Sequence, residues 1–223
     1  MPERQVYFDN NATTPLHPAV KKTLVDAMDL YGNPSSLHAA GRLAREAVEE
    51  VRERVAEFIG ATPDEVIFAG SGSEANNTVL SIPTCASKGC DCVMHESTEV
   101  VTSAIEHPCI LETANCLGER GVSVRYVGVD RYGRVDPEEL RRTITGHTRL
   151  VSIMMANNEV GTIQEIKTLA AIAHEHGALF HTDAVQAVGK VPVDVRELDV
   201  DFLTLSAHKI YGPKVVGALY IRK

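Results

Sequence analysis

Apolar runs alternate with amphipathic stretches over most of the chain. Seven short runs have the length and composition of strands: Val66–Ala69, Val100–Ser103, Val124–Val127, Leu150–Met155, Ala178–Phe180, Phe202–Leu205 and Ala218–Ile221. Several of these runs are apolar at nearly every position instead of every second one. That pattern is typical of strands in a mostly parallel sheet that is covered on both faces.

Helical periodicity fills the intervals between the apolar runs. Apolar residues recur at helical spacing from Leu43 to Ile59 and again from Ile163 to His176, and a glycine follows each stretch. Asp136-Pro137 predicts a further helix start, because an aspartate caps free N–H groups and proline is tolerated at the first helical position. The alternation of strand and helix predicts an α/β fold, a three-layer αβα architecture with a mostly parallel seven-stranded sheet.

The domain organisation follows from the irregular segments. Residues 1–35 contain Asn-Pro and Thr-Pro turns and are predicted to form an N-terminal arm, whereas residues 36–223 are predicted to form one large domain. The stretch from Thr84 to Ser97 has the weakest periodicity and is predicted to be a surface loop.

Composition and charge narrow the class of protein. The chain has 223 residues, of which 44% are hydrophobic and 23% are charged, as expected for a globular protein with a substantial core. A formal charge of -8 without a Lys/Arg cluster argues against a nucleic-acid partner. No segment approaches about 18 uncharged apolar residues, so no membrane span is predicted. The N-terminus lacks the apolar core of a secretory signal, so a cytoplasmic location is expected.

The cysteines do not form a disulfide pattern. There are five of them: Cys85, Cys90, Cys92, Cys109 and Cys116. An odd number without a secretory signal argues against a disulfide framework. The first three lie close together and His95 follows, which suggests a metal site. However, the two-residue gap and the second ligand pair of zinc sites are missing, so we predict free thiols and no metal.

An acid and an amine follow two consecutive apolar runs near the end of the chain. Asp183 comes shortly after the run that ends at Phe180, and Lys209 comes shortly after the run that ends at Leu205. Adjacent parallel strands would direct both side chains into one crevice. An amine that forms a Schiff base and an acid that keeps a ring nitrogen protonated are what pyridoxal phosphate requires. The alternatives are a helix-capping aspartate and an ordinary surface lysine.

A glycine- and serine-rich segment, Gly70–Asn77, follows a predicted strand and opens a helix. Its small residues, the free N–H groups of the helix start and the hydroxyl of Ser73 suit a phosphate group. The segment matches neither the Walker loop nor the dinucleotide-binding glycine pattern. A plain turn with a helix cap explains it as well.

Two further polar residues follow strands. His107 comes after the strand that ends at Ser103, where it could stack on an aromatic ring and relay protons, or simply cap a helix. Asn157 could bind a ring hydroxyl or a substrate carboxylate, although asparagine also suits turns. Four such motifs would meet at the carboxyl edge of one sheet, where open α/β sheets bind ligands. Their joint position predicts the core of a cofactor-dependent enzyme.

Together these motifs resemble the NifS-like cysteine desulfurases and selenocysteine lyases, class V members of the fold-type I pyridoxal phosphate enzymes. The matching stretches follow one another along essentially the whole chain: Tyr7–Pro15, Gly32–Ser36, Ser71–Asn77, Ser103–Pro108, Asn157–Gly161, His181–Gln186 and Ser206–Gly212. The resemblance implies that residues 36–223 are the pyridoxal phosphate-binding large domain.

The resemblance also implies a role for each candidate residue. Lys209 forms the Schiff base and later takes the substrate α-proton, Asp183 pairs with the ring nitrogen, and Gln186 contacts the ring hydroxyl. His107 stacks on the ring and relays protons. The residues implied for the phosphate are Gly72, Ser73, Ser206 and His208. The residues implied on the substrate side are Asn10, Ala12, Asn33 and Asn157, the last of which is also implied as a ring contact.

The implied reaction removes sulfur from L-cysteine, or selenium from L-selenocysteine, and leaves L-alanine. The sulfur passes as an enzyme persulfide to an acceptor or scaffold protein, for example in iron–sulfur cluster assembly, and a homodimer is expected. The catalytic cysteine and the substrate-binding arginine of the family lie downstream of the lysine motif. The C-terminal small domain is therefore expected to be absent from this sequence. A class V aminotransferase and a non-catalytic pyridoxal phosphate-binding protein remain alternatives.

Overall fold

A computed structural model describes residues 6–82 and 98–223. Its helices are α1 (Pro18–Ala27), α2 (Ala39–Phe58), α3 (Gly72–Ser81), α4 (Pro108–Glu119), α5 (Pro137–Thr143), α6 (Ile166–Glu175) and α7 (Val195–Leu198). Its strands are β1 (Val66–Ala69), β2 (Glu99–Ser103), β3 (Ser123–Val127), β4 (Thr148–Ser152), β5 (Leu179–Asp183), β6 (Phe202–Ser206) and β7 (Gly217–Ile221). The predicted thiol cluster of Cys85, Cys90 and Cys92, with His95, lies outside the described residues.

The strands form one sheet of seven in the order β1-β7-β6-β5-β4-β2-β3. Strand β7 runs antiparallel to both of its neighbours, and the pairs from β6 through β5, β4 and β2 to β3 are parallel. The predicted mostly parallel seven-stranded sheet is therefore confirmed. Because β5 and β6 are parallel neighbours, the segments that follow them leave the same edge of the sheet.

Helices cover both faces of the sheet and give it two cores. Consecutive strand residues belong to different apolar clusters: Val100 packs with Ile110 and Leu117, whereas Val101 packs with Leu140 and others. Neighbouring side chains of a strand point to opposite faces, so the two clusters lie on opposite sides of the sheet. Every residue of β2 and of β6 is buried. This burial explains why the apolar runs do not alternate, and it confirms the predicted three layers.

The predicted cap of α5 is present, and one helix, α1, was not predicted. The Asp136 side chain accepts a hydrogen bond of 2.9 Å from the backbone N–H of Glu138, and Pro137 opens α5 as expected. Helix α1, by contrast, was not predicted. It lies within the segment assigned to the arm, and none of its residues is buried in the described part of the chain. The division at residue 35 stays a prediction.

Strand β4 ends three residues before the predicted Met155, and β5 continues beyond Phe180 to Asp183. The two segments nevertheless stay paired, because the N–H groups of Ile153 and Met155 donate to the carbonyl oxygens of His181 and Asp183 at 3.1 and 2.9 Å. Asp183 is therefore held by the backbone at the end of its strand.

A buried polar row crosses the sheet just below this edge. The His181 ring bonds Ser152 Oγ at 2.8 Å through Nδ1 and Thr204 Oγ1 at 3.2 Å through Nε2. Burial lowers the pKa of His181 to about 3, so the ring is neutral near pH 7.

Among the helices that the structure describes, none combines the length and the apolar character that crossing a bilayer requires.

Candidate active site

A cavity of 280 Å³ lies where β5 and β6 end and α3 begins. It brings together predicted site residues from widely separated parts of the chain: Ala12, Gly72, Ser73, His107, Asp183, Gln186, Ser206, His208 and Lys209. The acid and the amine that follow β5 and β6 thus line one space, as the parallel pairing of these strands requires.

Asp183 is buried, with 5% of its surface exposed. Its Oδ1 accepts a hydrogen bond of 2.9 Å from the Val185 N–H, and its Oδ2 accepts one of 2.7 Å from Asn76 Nδ2. Burial raises the pKa of the Asp183 carboxyl, while these two donors and the nearby His107 and Lys209 act to lower it. Both direct donors are neutral, so the carboxylate retains acceptor capacity for a cationic partner.

The helix-cap alternative for Asp183 is only partly met. Residues 184–190 form turns rather than a helix. The bond from the Val185 N–H is local, but the bond from Asn76 joins two elements that are far apart in the sequence.

Lys209 lies in the short 3-10 turn after β6, and its ammonium group faces the N-terminal arm. Its Nζ donates to the carbonyl oxygen of Ala12 at 2.8 Å and also to that of Asn11. Burial is the main cause that lowers the pKa of Lys209, and the charge of Lys190 lowers it further, while Asp183 acts in the opposite direction. A lysine with a lowered pKa is a better nucleophile and base near neutral pH.

The arm is attached to the turn that carries the lysine. Thr14 Oγ1 donates to the carbonyl of His208 at 2.9 Å and accepts from the Tyr211 N–H at 2.7 Å. The His208 ring bonds Thr13 Oγ1 at 3.1 Å through Nδ1. Burial, together with the charges of Lys209 and Lys214, lowers the pKa of His208. The arm is therefore a wall of the cavity.

The start of α3 forms another part of the cavity wall. Ser71 caps the helix, since its Oγ accepts a hydrogen bond of 3.0 Å from the Glu74 N–H. A Cβ atom at Gly72 would lie 2.9 Å from Val185 Cγ2, so glycine permits the close approach of helix and strand ends. Gly72 and Ser73 line the cavity together with Ser206. The segment is thus both a cap and a set of donors suited to an anion.

His107 has two functions in the structure. It caps α4, because its Nδ1 accepts a hydrogen bond of 3.2 Å from the Cys109 N–H, and its ring also lines the cavity. Because Nδ1 is an acceptor, the neutral ring carries its proton on Nε2. The capping alternative and the cofactor role are therefore compatible.

Asn157, predicted as a ring or substrate contact, does not line the cavity. Its Nδ2 donates to the Ile105 carbonyl at 3.0 Å, and its Oδ1 accepts from the N–H groups of Glu159 and Val160 at 2.8 and 2.9 Å. These bonds use the side chain to hold a turn. The next residue, Asn158, lines the cavity instead.

Two of the residues predicted on the substrate side do not line the cavity. Asn10 and Asn33 are exposed and are not part of the cavity lining. Asn33 Oδ1 accepts from the Ser35 N–H at 2.9 Å in the turn before α2. Their contact with substrate stays a prediction.

Besides Ser71 and Asn158, sequence reasoning missed two polar residues of the cavity, Asn76 and Cys109. Asn76 is 1% exposed, and its Nδ2 lies 3.4 Å from Cys109 Sγ. Burial is the largest cause that raises the pKa of the Cys109 thiol. A signal was present: Asn76 shares the buried face of α3 with Gly72 and Val79, and a polar residue on such a face needs a partner.

Comparisons with known proteins identify the family of the chain. A family model described as aminotransferase class-V matches residues 6–223. A curated relative named cysteine desulfurase IscS, from Dictyoglomus turgidum, is 47% identical over 222 residues, which is 99% of this chain and 55% of the relative. The chain therefore spans about half the length of the curated relatives that it matches.

Solved structures agree with the sequence relatives. A NifS-like protein superposes with a TM-score of 0.91 at 40% identity over 98% of this chain and 59% of its own. A structure described as SspA in complex with cysteine gives a TM-score of 0.91 at 35% identity, over 98% of this chain and 62% of its own. With a matching family model over almost its whole length and the same fold in these relatives, the chain belongs to the class-V aminotransferase family.

Proposed function

We propose that the 280 Å³ cavity binds pyridoxal 5'-phosphate and that the protein is a cysteine desulfurase. The observation that carries the proposal is the meeting of a buried acid, Asp183, and a partly buried amine, Lys209, in one cavity with a helix start. An anion-binding helix start, a carboxylate with spare acceptor capacity and a lysine with a lowered pKa match the phosphate, the ring nitrogen and the aldehyde of this cofactor.

Each part of the cofactor has residues that would hold it. Lys209 would take the aldehyde carbon, and Asp183 would accept from the ring nitrogen. The ring hydroxyl would face Gln186 and Asn158, and we assign the latter in place of Asn157 on the basis of the cavity lining. His107 would cover the ring face. The phosphate would be held by Gly72, Ser73, Ser206 and His208.

The residues of this chain perform defined tasks in the proposed reaction. When bound, pyridoxal phosphate supplies a carbonyl for the substrate amine and a protonated ring that withdraws electrons. Asp183 places a negative charge beside the ring nitrogen and so favours its protonated form. Lys209, whose pKa is lowered, takes the α-proton of the substrate, and Nε2 of His107 holds a proton that it can donate.

The proposed substrate is L-cysteine or L-selenocysteine, and the proposed product is L-alanine with sulfur delivered to an acceptor or scaffold protein. The curated name of the Dictyoglomus relative and the cysteine complex among the related structures support this substrate class. Ala12 lines the cavity on the arm side, where the substrate would enter, and Asn10 and Asn33 are proposed to face it. A homodimer is part of the same proposal.

Reconstitution with pyridoxal phosphate tests the cofactor site. We expect a visible absorption band that is lost in Lys209→Ala and retained in Lys214→Ala, an exposed lysine five positions away. Borohydride reduction followed by peptide mass spectrometry should place the modification on Lys209. A band that persists in Lys209→Ala, or its absence from the wild type, would contradict the proposal.

Product analysis separates the alternative activities. The loaded protein is incubated with L-cysteine and a thiol acceptor, and alanine, sulfide and keto acid are quantified. Alanine with sulfide in equal amounts supports the desulfurase. A keto acid supports an aminotransferase, the alternative that the name of the matching family favours. Cofactor binding without any product supports a non-catalytic pyridoxal phosphate-binding protein.

A further inference from the structure

We infer that Asn76 is a positioning residue of the proposed cofactor site: its side-chain amide fixes the Asp183 carboxylate so that the remaining acceptor capacity faces the cavity. Asn76 lies on α3, whereas Asp183 ends β5, and the bond of 2.7 Å between them links the two elements across 107 sequence positions. The inference rests on the proposed function, because the ring nitrogen is what the carboxylate would meet.

Among the described residues, Asn76 is the only one whose side chain donates a hydrogen bond to the Asp183 carboxylate. Oδ1 of the acid is held by the Val185 N–H at 2.9 Å, and Oδ2 is held by Asn76 Nδ2. With both oxygens anchored, one from its own strand end and one from the helix, the plane of the carboxylate cannot rotate. Without Asn76, one local bond remains and the carboxylate is free to turn.

The orientation of the Asn76 amide supports a role directed at Asp183. Its NH₂ group faces Asp183 Oδ2 and Cys109 Sγ, at 2.7 and 3.4 Å. Its Oδ1 is buried and has no hydrogen-bond partner in the described part of the chain. An unpaired buried acceptor costs folding free energy. The opposite orientation would set Oδ1 against the carboxylate, so the bond to Asp183 determines the orientation despite that cost.

Several charged or titratable groups surround Asp183, and they act in both directions. His107 and Lys209 act to lower its pKa, and Glu106 and Cys109 are electrostatically coupled to it from the β2–α4 side. Burial raises the pKa, and the Asn76 amide is one of two direct donors among the described residues that oppose burial. Loss of this donor should leave the acid protonated at a higher pH, and a protonated acid cannot balance a positive ring nitrogen.

The first test uses the protein without cofactor. Asp183 is titrated by NMR of ¹³C-carboxyl-labelled aspartate, with Asp183→Asn to assign its signal. Asn76→Leu, which has similar volume and no donor, should raise the pKa of Asp183 by about 1 unit or more. Asn76→Ala also removes the donor and adds neither charge nor bulk, so it serves if the leucine variant does not fold. Cys109→Ala removes the other contact of the amide and a thiol that is neutral in the titration range, since its pKa is raised, so it should shift the pKa of Asp183 much less than Asn76→Leu does.

The second test compares two ligands: pyridoxal phosphate and its analogue with a CH group in place of the ring nitrogen. Asn76→Leu should weaken pyridoxal phosphate binding about tenfold or more, and the analogue much less, because only the former has a nitrogen for Asp183. An unchanged pKa of Asp183 in both Asn76 variants overturns the inference, as does an equal loss for both ligands. Wild-type protein that binds neither ligand overturns the proposed function instead, while the titration still decides whether Asn76 controls Asp183.

Discussion

Buried carboxyl groups at the two edges of the central sheet differ in their hydrogen-bond partners and in the direction of their pKa shifts. At the amino edge, Glu99 begins β2 with 3% of its surface exposed, yet its oxygens accept from Thr148 and Thr145 at 2.6 and 2.9 Å and from Arg125 at 2.5 Å. Burial raises the pKa of Glu99, but these partners outweigh it and hold the pKa below the ordinary value. The charge is buried and paired.

At the carboxyl edge, Glu106 is equally buried but poorly paired. Its Oε1 accepts from Ser103 Oγ at 2.5 Å and from the Met154 N–H at 2.8 Å, whereas Oε2 has no partner among the described residues. Burial, assisted by the charge of Asp183, raises the pKa of Glu106 to about 8. Glu106, Asp183 and the unpaired Oδ1 of Asn76 all occur at this one edge. Incompletely satisfied groups thus gather where the ligand is proposed to bind.

Among the predictions that test this difference between the edges, the largest expected effect is at Glu106. Between the ordinary pKa of 4.5 and about 8, the folded protein keeps a proton that the unfolded chain has lost, so stability falls as the pH rises. Glu106→Gln is uncharged and should remove this loss. The difference in free energy of unfolding, variant minus wild type, should grow by about 3 kcal/mol between about pH 5 and about pH 8. Urea denaturation at each pH measures this difference. An equal pH dependence in both proteins would contradict a buried, under-paired Glu106.

The next effect concerns His181, below the same edge. The unfolded chain binds a proton near pH 6.5, whereas the folded protein does so only near pH 3, so stability falls as the pH drops below 6.5. The slope is about 1.4 kcal/mol per pH unit for one such group. Between about pH 6.5 and about pH 5, the free energy of unfolding of His181→Gln should fall by about 2 kcal/mol less than that of the wild type. This expectation does not depend on the stability of the variant at neutral pH. Parallel curves would exclude a buried neutral ring.

The smallest effect is expected at the paired, amino edge. Arg125→Met removes a half-exposed cation while Glu99 keeps its hydroxyl donors, so we expect a loss of about 1 kcal/mol at neutral pH. The loss should vanish as the pH falls and Glu99 becomes protonated in both states. Arg54→Met, in an exposed pair with Glu50, is the matched control and should show no measurable change. A larger loss at Arg54 than at Arg125 would remove the distinction between the edges.

The sheet could be predicted from the sequence because burial on both faces leaves a direct trace. Strand β6 is buried at every position, and its predicted run Phe202–Leu205 is apolar at three of four positions. Helix α1 was missed for another reason. Val20, Leu24 and Ala27 do recur at helical spacing, but the segment lies between Thr-Pro and Asn-Pro turns that favoured an arm, and none of its residues is buried in the described chain.

The candidate site was predictable where a residue type is rare after a strand, and not where two neighbours compete. Asp183 and Lys209, which both line the cavity, were singled out in this way, and their roles stay a prediction. Which of Asn157 and Asn158 lines the cavity depends on a distant partner. Asn157 Nδ2 donates to the Ile105 carbonyl at 3.0 Å, 52 positions earlier in the chain, and the sequence does not show this bond. Asn76 and Asp183 are 107 positions apart, so their pairing becomes visible only in three dimensions.

The attachment of residues 11–14 to the lysine turn has a consequence for biosynthesis. Thr14 and His208, which hydrogen-bond to each other, are 194 positions apart. At about 5–20 residues per second, a ribosome would present the first partner roughly 10 to 40 seconds before the second. The nascent arm therefore waits outside the exit tunnel, exposed to chaperones and proteases, until the last wall of the cavity is translated.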